Sequence, residues 1–243
     1  MQLCIDIGNT RVKTAVFEGD EILHLERNAG FLAENHQQLM AKYHIKNIIL
    51  SSTRATDENI DTFIKSHPHC IVLNHLTPLP ITLQYQSPET LGKDRVAAAV
   101  AANALFPGEP VVFIDAGTCI TTNLIDAEGC FLGGNISPGI TMRLKAMHHY
   151  TGKLPLVEAE YHNSFLGFNT VSALQNGAVR GAIYEITSFL EESRKNFPDA
   201  RIVLTGGDAI LFAKHLKIKI FANPNLVLLG LNKILRFNAE TMH

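Results

Sequence analysis

"CIDIGNTRVK", residues 4–13, is the stretch on which the reading of the whole chain turns. An apolar strand gains nothing from ending in a carboxylate unless that group is hydrogen-bonded, paired or metal-bound, so Asp6 demands a partner. Residues 2–7 and the alternation Val12, Thr14, Val16 predict two strands, and Gly8-Asn9-Thr10-Arg11 predicts the tight turn between them. Asp6 then stands at a strand end, beside a turn.

Working outward, "EILHLER" predicts a third strand and residues 32–43 a helix. "NIILSS" at 47–52 predicts a buried strand, and "TRATDENIDTFIKS" a helix whose Thr, Asp and Glu cluster suits its start. The Pro- and Thr-rich interval 74–91 reads as a loop or extended linker, and the Ala-rich "GKDRVAAAVAANALF" as a helix. After Pro107-Gly108-Glu109-Pro110 the pattern starts again. "VVFID" at 111–115 is an apolar strand ending in Asp115, and Ile114-Asp115-Ala116-Gly117-Thr118-Cys119 matches Ile5-Asp6-Ile7-Gly8-Asn9-Thr10. "CITTNLI" and "CFLGGNI" follow as strands around the turn Ala127-Glu128-Gly129, and a long helical pattern runs from Val171 to about Lys195. "RIVLTGGDAILFAKHL" at 201–216 then repeats the strand, small residues and helix of residues 47–66. The duplication predicts an α/β protein of two related domains, residues 1–107 and 108–243, with a nucleotide cleft between them.

Composition fits that size: 243 residues with 46% hydrophobic content supply enough apolar surface for a sizeable core. Lys and Arg total 21 against 23 Asp and Glu, a net charge of −2, so nothing global favours nucleic acid or a membrane surface. Cys4, Cys70, Cys119 and Cys130 have no C-x-x-C spacing, which fits a reduced, cytoplasmic setting. The first strand begins too early for a signal peptide to precede it, and no apolar run approaches the roughly 18 residues of a membrane span.

Each carboxylate-Gly-hydroxyl turn alone reads first as an ordinary hairpin. Two in register favour a metal nucleotide: backbone N–H groups approach phosphate, Thr or Asn adds hydrogen bonds, and a strand-end Asp holds Mg²⁺ directly or through water. Lys13 can neutralise a phosphate. Thr205-Gly206-Gly207 places Gly backbone against adenine, ribose or phosphate, though Gly-Gly is also a common strand-to-helix turn. Gly92-Lys93-Asp94-Arg95 opens a helix; Asp94 can cap it or accept a substrate hydroxyl proton, and Arg95 can pair on the surface or fork onto a carboxylate or phosphate. Positioned carboxylates beside phosphate turns suit a kinase better than a hydrolase.

In order, "DIGNTR", "GKDR", "DAGTCIT", "GGNISPGI", "GFNTVSALQNG" and "TGG" resemble the type III pantothenate kinases, members of the acetate and sugar kinase/Hsp70/actin superfamily. The resemblance runs over nearly the whole chain. It implies two ribonuclease H-like, actin-like ATPase domains and transfer of phosphate from ATP to pantothenate, giving 4'-phosphopantothenate in the first step of coenzyme A biosynthesis. It implies a first ATP loop of Asp6, Ile7, Gly8, Asn9, Thr10, Arg11, Val12 and Lys13, an ATP contact at Thr118 and, with the Gly206-Gly207 turn, the nucleotide's remaining anchor. Asp115 would hold a potassium or ammonium ion and Asp6 a Mg²⁺. Gly92, Lys93, Asp94 and Arg95 would bind pantothenate with Asp94 as proton acceptor, Tyr85 and Thr170 would complete the pocket, and the protein would be a homodimer. Two positions depart from the family's pattern: Ser87-Pro88 stands where Asn-Pro is usual, and Thr122-Asn123 where a carboxylate follows the second turn. The alternatives are another small-molecule acceptor on the same fold, or a non-catalytic regulator, which would be expected to lack one of Asp6, Asp94 and Asp115.

Three further features carry less. His67-Pro68-His69-Cys70 matches no closed zinc spacing. His148-His149 reads as an exposed helix end, and the alternating "LKIKIF" at 216–221 as an edge strand.

Overall fold

The computed structural model describes residues 1–55 and 57–241. In chain order the strands are β1 (Gln2–Ile7), β2 (Val12–Glu18), β3 (Glu21–Asn28), β4 (Asn47–Ser52), β5 (Cys70–Val72), β6 (Thr82–Leu83), β7 (Val111–Ala116), β8 (Cys119–Ile125), β9 (Cys130–Pro138), β10 (Arg201–Thr205) and β11 (Phe221–Ala222). The helices are α1 (Ala33–Tyr43), α2 (Glu58–Ser66), α3 (Lys93–Leu105), α4 (Ile140–His149), α5 (Thr170–Asn196), α6 (Ala209–His215) and α7 (Leu226–Thr241).

One sheet has the strand order β3-β2-β1-β4-β5, the other β11-β10-β7-β8-β9-β6. Without the short β6, the second read backwards is β9-β8-β7-β10-β11, the same order as the first. The pairing repeats too: β1 is parallel to β4 as β7 is to β10, and β4 is parallel to β5 as β10 is to β11. The duplication expected from the two Asp-Gly turns is thus the architecture. Leu3, Cys4, Ile5 and Ile7 of β1 are fully buried, as are Val111, Phe113 and Ile114 of β7. Continuous apolar runs of this kind belong to central strands covered on both faces.

Two compact units result. The first gathers the described residues up to 108, residues 125–132 and residues from 225 on; the second holds 109–124 and 133–224. The turn between the halves thus lies at 108/109, and relative to a division at 107/108 the hairpin end 125–132 and the helix α7 go with the first unit.

Within the first unit, α3 is buried from Arg95 to Ala102, on nearly every side. A helix apolar all round needs cover all round, and α7 supplies much of it, packing on α3, β1 and β4. The Ala side chains permit close approach: a Cβ at Gly230 of α7 would lie 1.7 Å from the carbonyl oxygen of Ala97. In the second unit Leu174, Ala178, Val179, Ala182 and Ile186 of α5 meet Val112 and Ile114 of β7 in one apolar cluster.

The edge strand expected at 216–221 is confined to Phe221 and Ala222, which pair with β10. Leu216 instead ends α6, donating its N–H to the Phe212 carbonyl at 2.8 Å, and Ile218 and Ile220 pack on the second core from irregular chain. Their alternation with Lys records packing, not a ladder. The interval 74–91 is loop apart from β6, and α4 ends at His149, at the His148-His149 pair.

Candidate active site

Asp6, 6% exposed, sits one residue before the end of β1. Its register partner on β2 is Lys13, and on β4 it is Ser51. The Gly8 N–H donates to the Arg11 carbonyl at 3.0 Å and closes the turn, leaving Asn9, Thr10 and Arg11 exposed. The side chains of Ile7 and Val12 point into the first core, so within residues 6–13 these two offer a ligand only backbone. Ile7 is also braced by the residue that follows β4: its carbonyl accepts from the Thr53 N–H at 3.0 Å and from Thr53 Oγ1 at 3.3 Å.

The Gly92-Lys93-Asp94-Arg95 motif forms the first turn of α3, with Gly92 at the N-cap. Asp94 Oδ1 accepts from the Arg95 N–H at 2.8 Å, so the carboxylate lies at the positive end of the helix, where an anion is favoured. Lys93 turns back, Nζ donating to the carbonyls of Leu91 at 3.0 Å and Glu89 at 3.3 Å. Arg95 is only 4% exposed, and its guanidinium lies 5.8 Å from the Tyr85 ring and 5.6 Å from the Phe131 ring. The two rings, whose own centroids are 6.1 Å apart, lie to one side of the guanidinium and lower the cost of holding a buried cation. The structure therefore brings Tyr85 to Arg95, the neighbour of Asp94. Phe131, from β9, is a member of this cluster that the sequence reading missed, because only the fold carries residues 125–132 to the first unit.

In the second unit Asp115 occupies the place on β7 that Asp6 has on β1, with Thr205 as its register partner on β10. Gly117 donates to the Cys119 carbonyl at 2.9 Å and Thr118 is exposed at the tip. Gly206 has φ +98°, and a Cβ there would fall 2.3 Å from the Ala116 oxygen and 2.5 Å from Asp115 Oδ1. Only glycine leaves the Asp115 carboxylate its place. Gly207 is exposed, and burial raises the neighbouring Asp208 carboxyl above its ordinary pKa. The Thr118 carbonyl accepts from the Gly139 N–H at 3.1 Å. That contact is steadied by Arg143, whose Nε donates to the Pro138 carbonyl at 2.8 Å while its NH2 and the Ser137 hydroxyl both bind the Glu185 carboxylate of α5. Thr170 is the exposed first residue of α5, behind an Asn169 and Ser172 capping box.

The two departures from the family pattern are structural in character. Asn123, fully buried, donates from Nδ2 to the Phe113 carbonyl at 3.3 Å and to Thr121 Oγ1 at 3.0 Å. Ser87-Pro88 is a turn tied by Thr90, whose Oγ1 donates to the Ser87 carbonyl at 2.9 Å. The His67 to Cys70 run has no metal-site geometry: among the described residues no group of three or more His, Cys, Asp and Glu could hold a metal ion. The four cysteines are free, with burial pushing the Cys70 thiol up to about 11.

Two sheets of one strand order, each with a central strand ending in a carboxylate and a glycine turn, define an actin-like ATPase fold of the acetate and sugar kinase/Hsp70/actin class. Solved structures show the same fold at low identity: a Baf family protein from Campylobacter jejuni (TM-score 0.63, 24% identity, 98% of this chain and 99% of that one) and a ROK hexokinase from Thermus thermophilus (TM-score 0.52, 13% identity, 98% and 99%). The family model described as type III pantothenate kinase matches residues 2–192. Type III pantothenate kinases of Phocaeicola vulgatus and Bacteroides fragilis are 42% and 41% identical over 239 residues, covering 98% of this chain and 99% and 98% of theirs. The chain belongs to the type III pantothenate kinase family.

Proposed function

We propose that the protein makes 4'-phosphopantothenate with Asp94 as the group that takes the proton from the substrate hydroxyl. The reaction is ATP-dependent phosphorylation of pantothenate, the first step of coenzyme A biosynthesis. The observation that carries the residue assignment is the cluster at the start of α3, where Asp94 adjoins a buried Arg95 that lies beside the Tyr85 and Phe131 rings. Arg95 suits the pantothenate carboxylate, and Tyr85 offers an apolar face with a hydroxyl. Asp94 orients the primary hydroxyl and accepts its proton as the phosphoryl group transfers. Gly92 and Thr170 are further substrate contacts. Lys93 is a substrate contact as well, and its ammonium also donates to the Leu91 and Glu89 carbonyls of the loop before the helix.

Backbone N–H groups of the Gly8 to Arg11 turn, with Lys13, hold phosphate oxygens; Thr118 and the Gly206-Gly207 turn are contacts of ATP in the second unit. A divalent metal, when bound, supplies positive charge on the phosphate oxygens. Asp6 fits it, since Mg²⁺ keeps most of its waters and needs one or two carboxylates. Asp115 holds a potassium or ammonium ion. The protein acts in the cytoplasm as a homodimer, a reading supported by Phe165, Leu166, Phe168, Val171 and Tyr184, all apolar or aromatic and all exposed on the second unit. No described helix is long and apolar enough to cross a membrane.

The test is ADP release by the purified protein with ATP and Mg²⁺, with and without pantothenate, in potassium, ammonium or sodium. Release that requires pantothenate and is raised by potassium or ammonium is expected. Release indifferent to pantothenate would overturn the acceptor, and release indifferent to the monovalent ion would remove the ion from Asp115.

A further inference from the structure

The duplicated sheets carry a second repeat, hidden in the register. On β4 the residue opposite Asp6 is Ser51; on β10 the residue opposite Asp115 is Thr205. Register partners on adjacent strands project to the same face of the sheet, so each strand-end carboxylate has a hydroxyl beside it on its own side. Ser51 is 0% exposed and Thr205 1%. Neither Ser51 Oγ nor Thr205 Oγ1 has a hydrogen-bond partner among the described residues. A buried hydroxyl left unsatisfied costs about 1–3 kcal/mol, and Ala or Val would fill either position without that cost. The same costly choice at matching positions of both halves, each time next to the acidic group, points to a ligand.

We propose that Ser51 and Thr205 are positioning residues that supply a neutral oxygen beside a bound cation: Ser51 toward the hydration shell of Mg²⁺ at Asp6, Thr205 toward the monovalent cation at Asp115. The inference rests on the cation assignments of Asp6 and Asp115 made above. The donor chemistry agrees with both ions. Mg²⁺ and potassium are hard cations that take oxygen ligands, and Mg²⁺ retains waters that a nearby hydroxyl can accept a hydrogen bond from.

The experiment compares Ser51→Ala, Thr205→Val and the hydroxyl-keeping Ser51→Thr and Thr205→Ser, with Asp6→Asn and Asp115→Asn as controls. Loss of a group in the outer shell of a metal typically costs 10–100-fold in affinity. Ser51→Ala is expected to raise the Mg²⁺ concentration for half-maximal rate by about 10-fold or more, leave the potassium or ammonium dependence in place, and weaken Mn²⁺ binding in the presence of a non-hydrolysable ATP analogue, read by electron paramagnetic resonance. Thr205→Val is expected to do the reverse, and the hydroxyl-keeping variants to retain the wild-type ion dependence. Melting temperature should hold or rise in Ser51→Ala, because a buried hydroxyl without a protein partner is removed. A fall in melting temperature with unchanged ion dependence would make the hydroxyls structural and overturn the proposal. If Asp6→Asn and Asp115→Asn shift the ion dependences and the hydroxyl variants do not, the proposal fails while the assignment of the carboxylates stands; if the Asp variants shift nothing, the carboxylate assignment fails and the proposal with it.

Discussion

Asp94, the proposed proton acceptor, stands in the first turn of a helix, where the N–H of the next residue already points at it. Asp94→Asn keeps that geometry and loses the base. The variant should bind ATP and pantothenate with little change while kcat falls about 10²–10⁴-fold, the usual worth of a positioned proton acceptor; turnover at the wild-type rate would remove the role. His36 shows the opposite use of a titratable group. It is 1% exposed, its Nδ1–H donates to the Leu32 carbonyl at 2.7 Å, and its Nε2 accepts from Thr14 Oγ1 at 3.0 Å, with its ring stacked 4.6 Å from Phe31. Burial lowers its pKa below the ordinary 6.5, against smaller upward pulls from the Leu32 bond and Glu26. The unfolded chain therefore takes up the proton first, so this stability is complete above pH 6.5 and is lost as pH falls toward the folded value. Urea unfolding of His36→Gln at several pH values should give a lower midpoint at pH 7.5 and a weaker decline between pH 7 and 5 than in the wild type. Asp6, Asp94 and Asp115 were readable in the sequence because a charge closes an apolar run or opens an Ala-rich one. Phe131 and Ser51 were not, since neither is unusual where it stands and each gains meaning only from a neighbour distant in sequence.

At the level of elements, the readable ones were those whose local pattern and tertiary environment agree. β1, β4 and β7 are unbroken apolar runs that became central strands, and α3 has both the composition of a helix and an anionic first turn. α7 went unread for a physical reason. "LVLLGLNKILRF" has apolar residues on almost every face, so it shows no stripe, and Gly230 interrupts it like a loop signal. The glycine is instead where α7 meets α3. Gly230→Ala gains about 1 kcal/mol of helix propensity, but the new Cβ would overlap a backbone oxygen that cannot give way, and overpacking typically costs about 1–3 kcal/mol. The clash wins: thermal unfolding should show a lower melting temperature, and because α3 carries Asp94 and Arg95, KM for pantothenate should rise. A melting temperature at or above the wild type would mean that α7 shifts without cost.

For the whole molecule, the duplicated strand order was legible from two short turns, while the part of the chain belonging to each unit was not, because composition does not say where a terminal helix docks. The proposed homodimer also belongs to this scale. Phe168 is 82% exposed and Tyr184 56%, and replacing both with Asp should convert a dimer to a monomer in analytical ultracentrifugation, with little effect on melting of the isolated chain. A wild-type protein that sediments as a monomer at micromolar concentration would remove the dimer.

The return of α7 to the first unit also sets a timetable for synthesis. A chain emerging from the ribosome exposes β1, β4 and α3 early, yet the helix that covers them is made only after the whole second unit. Residues 109–124 and 133–224 can gather their core while the earlier half still shows apolar surface to chaperones and to other nascent chains. The β1 turn and the start of α3 are thus translated before the second unit and are among the last parts to be sealed, so a ribosome stalled before residue 226 would release a chain whose second unit is complete and whose first is open.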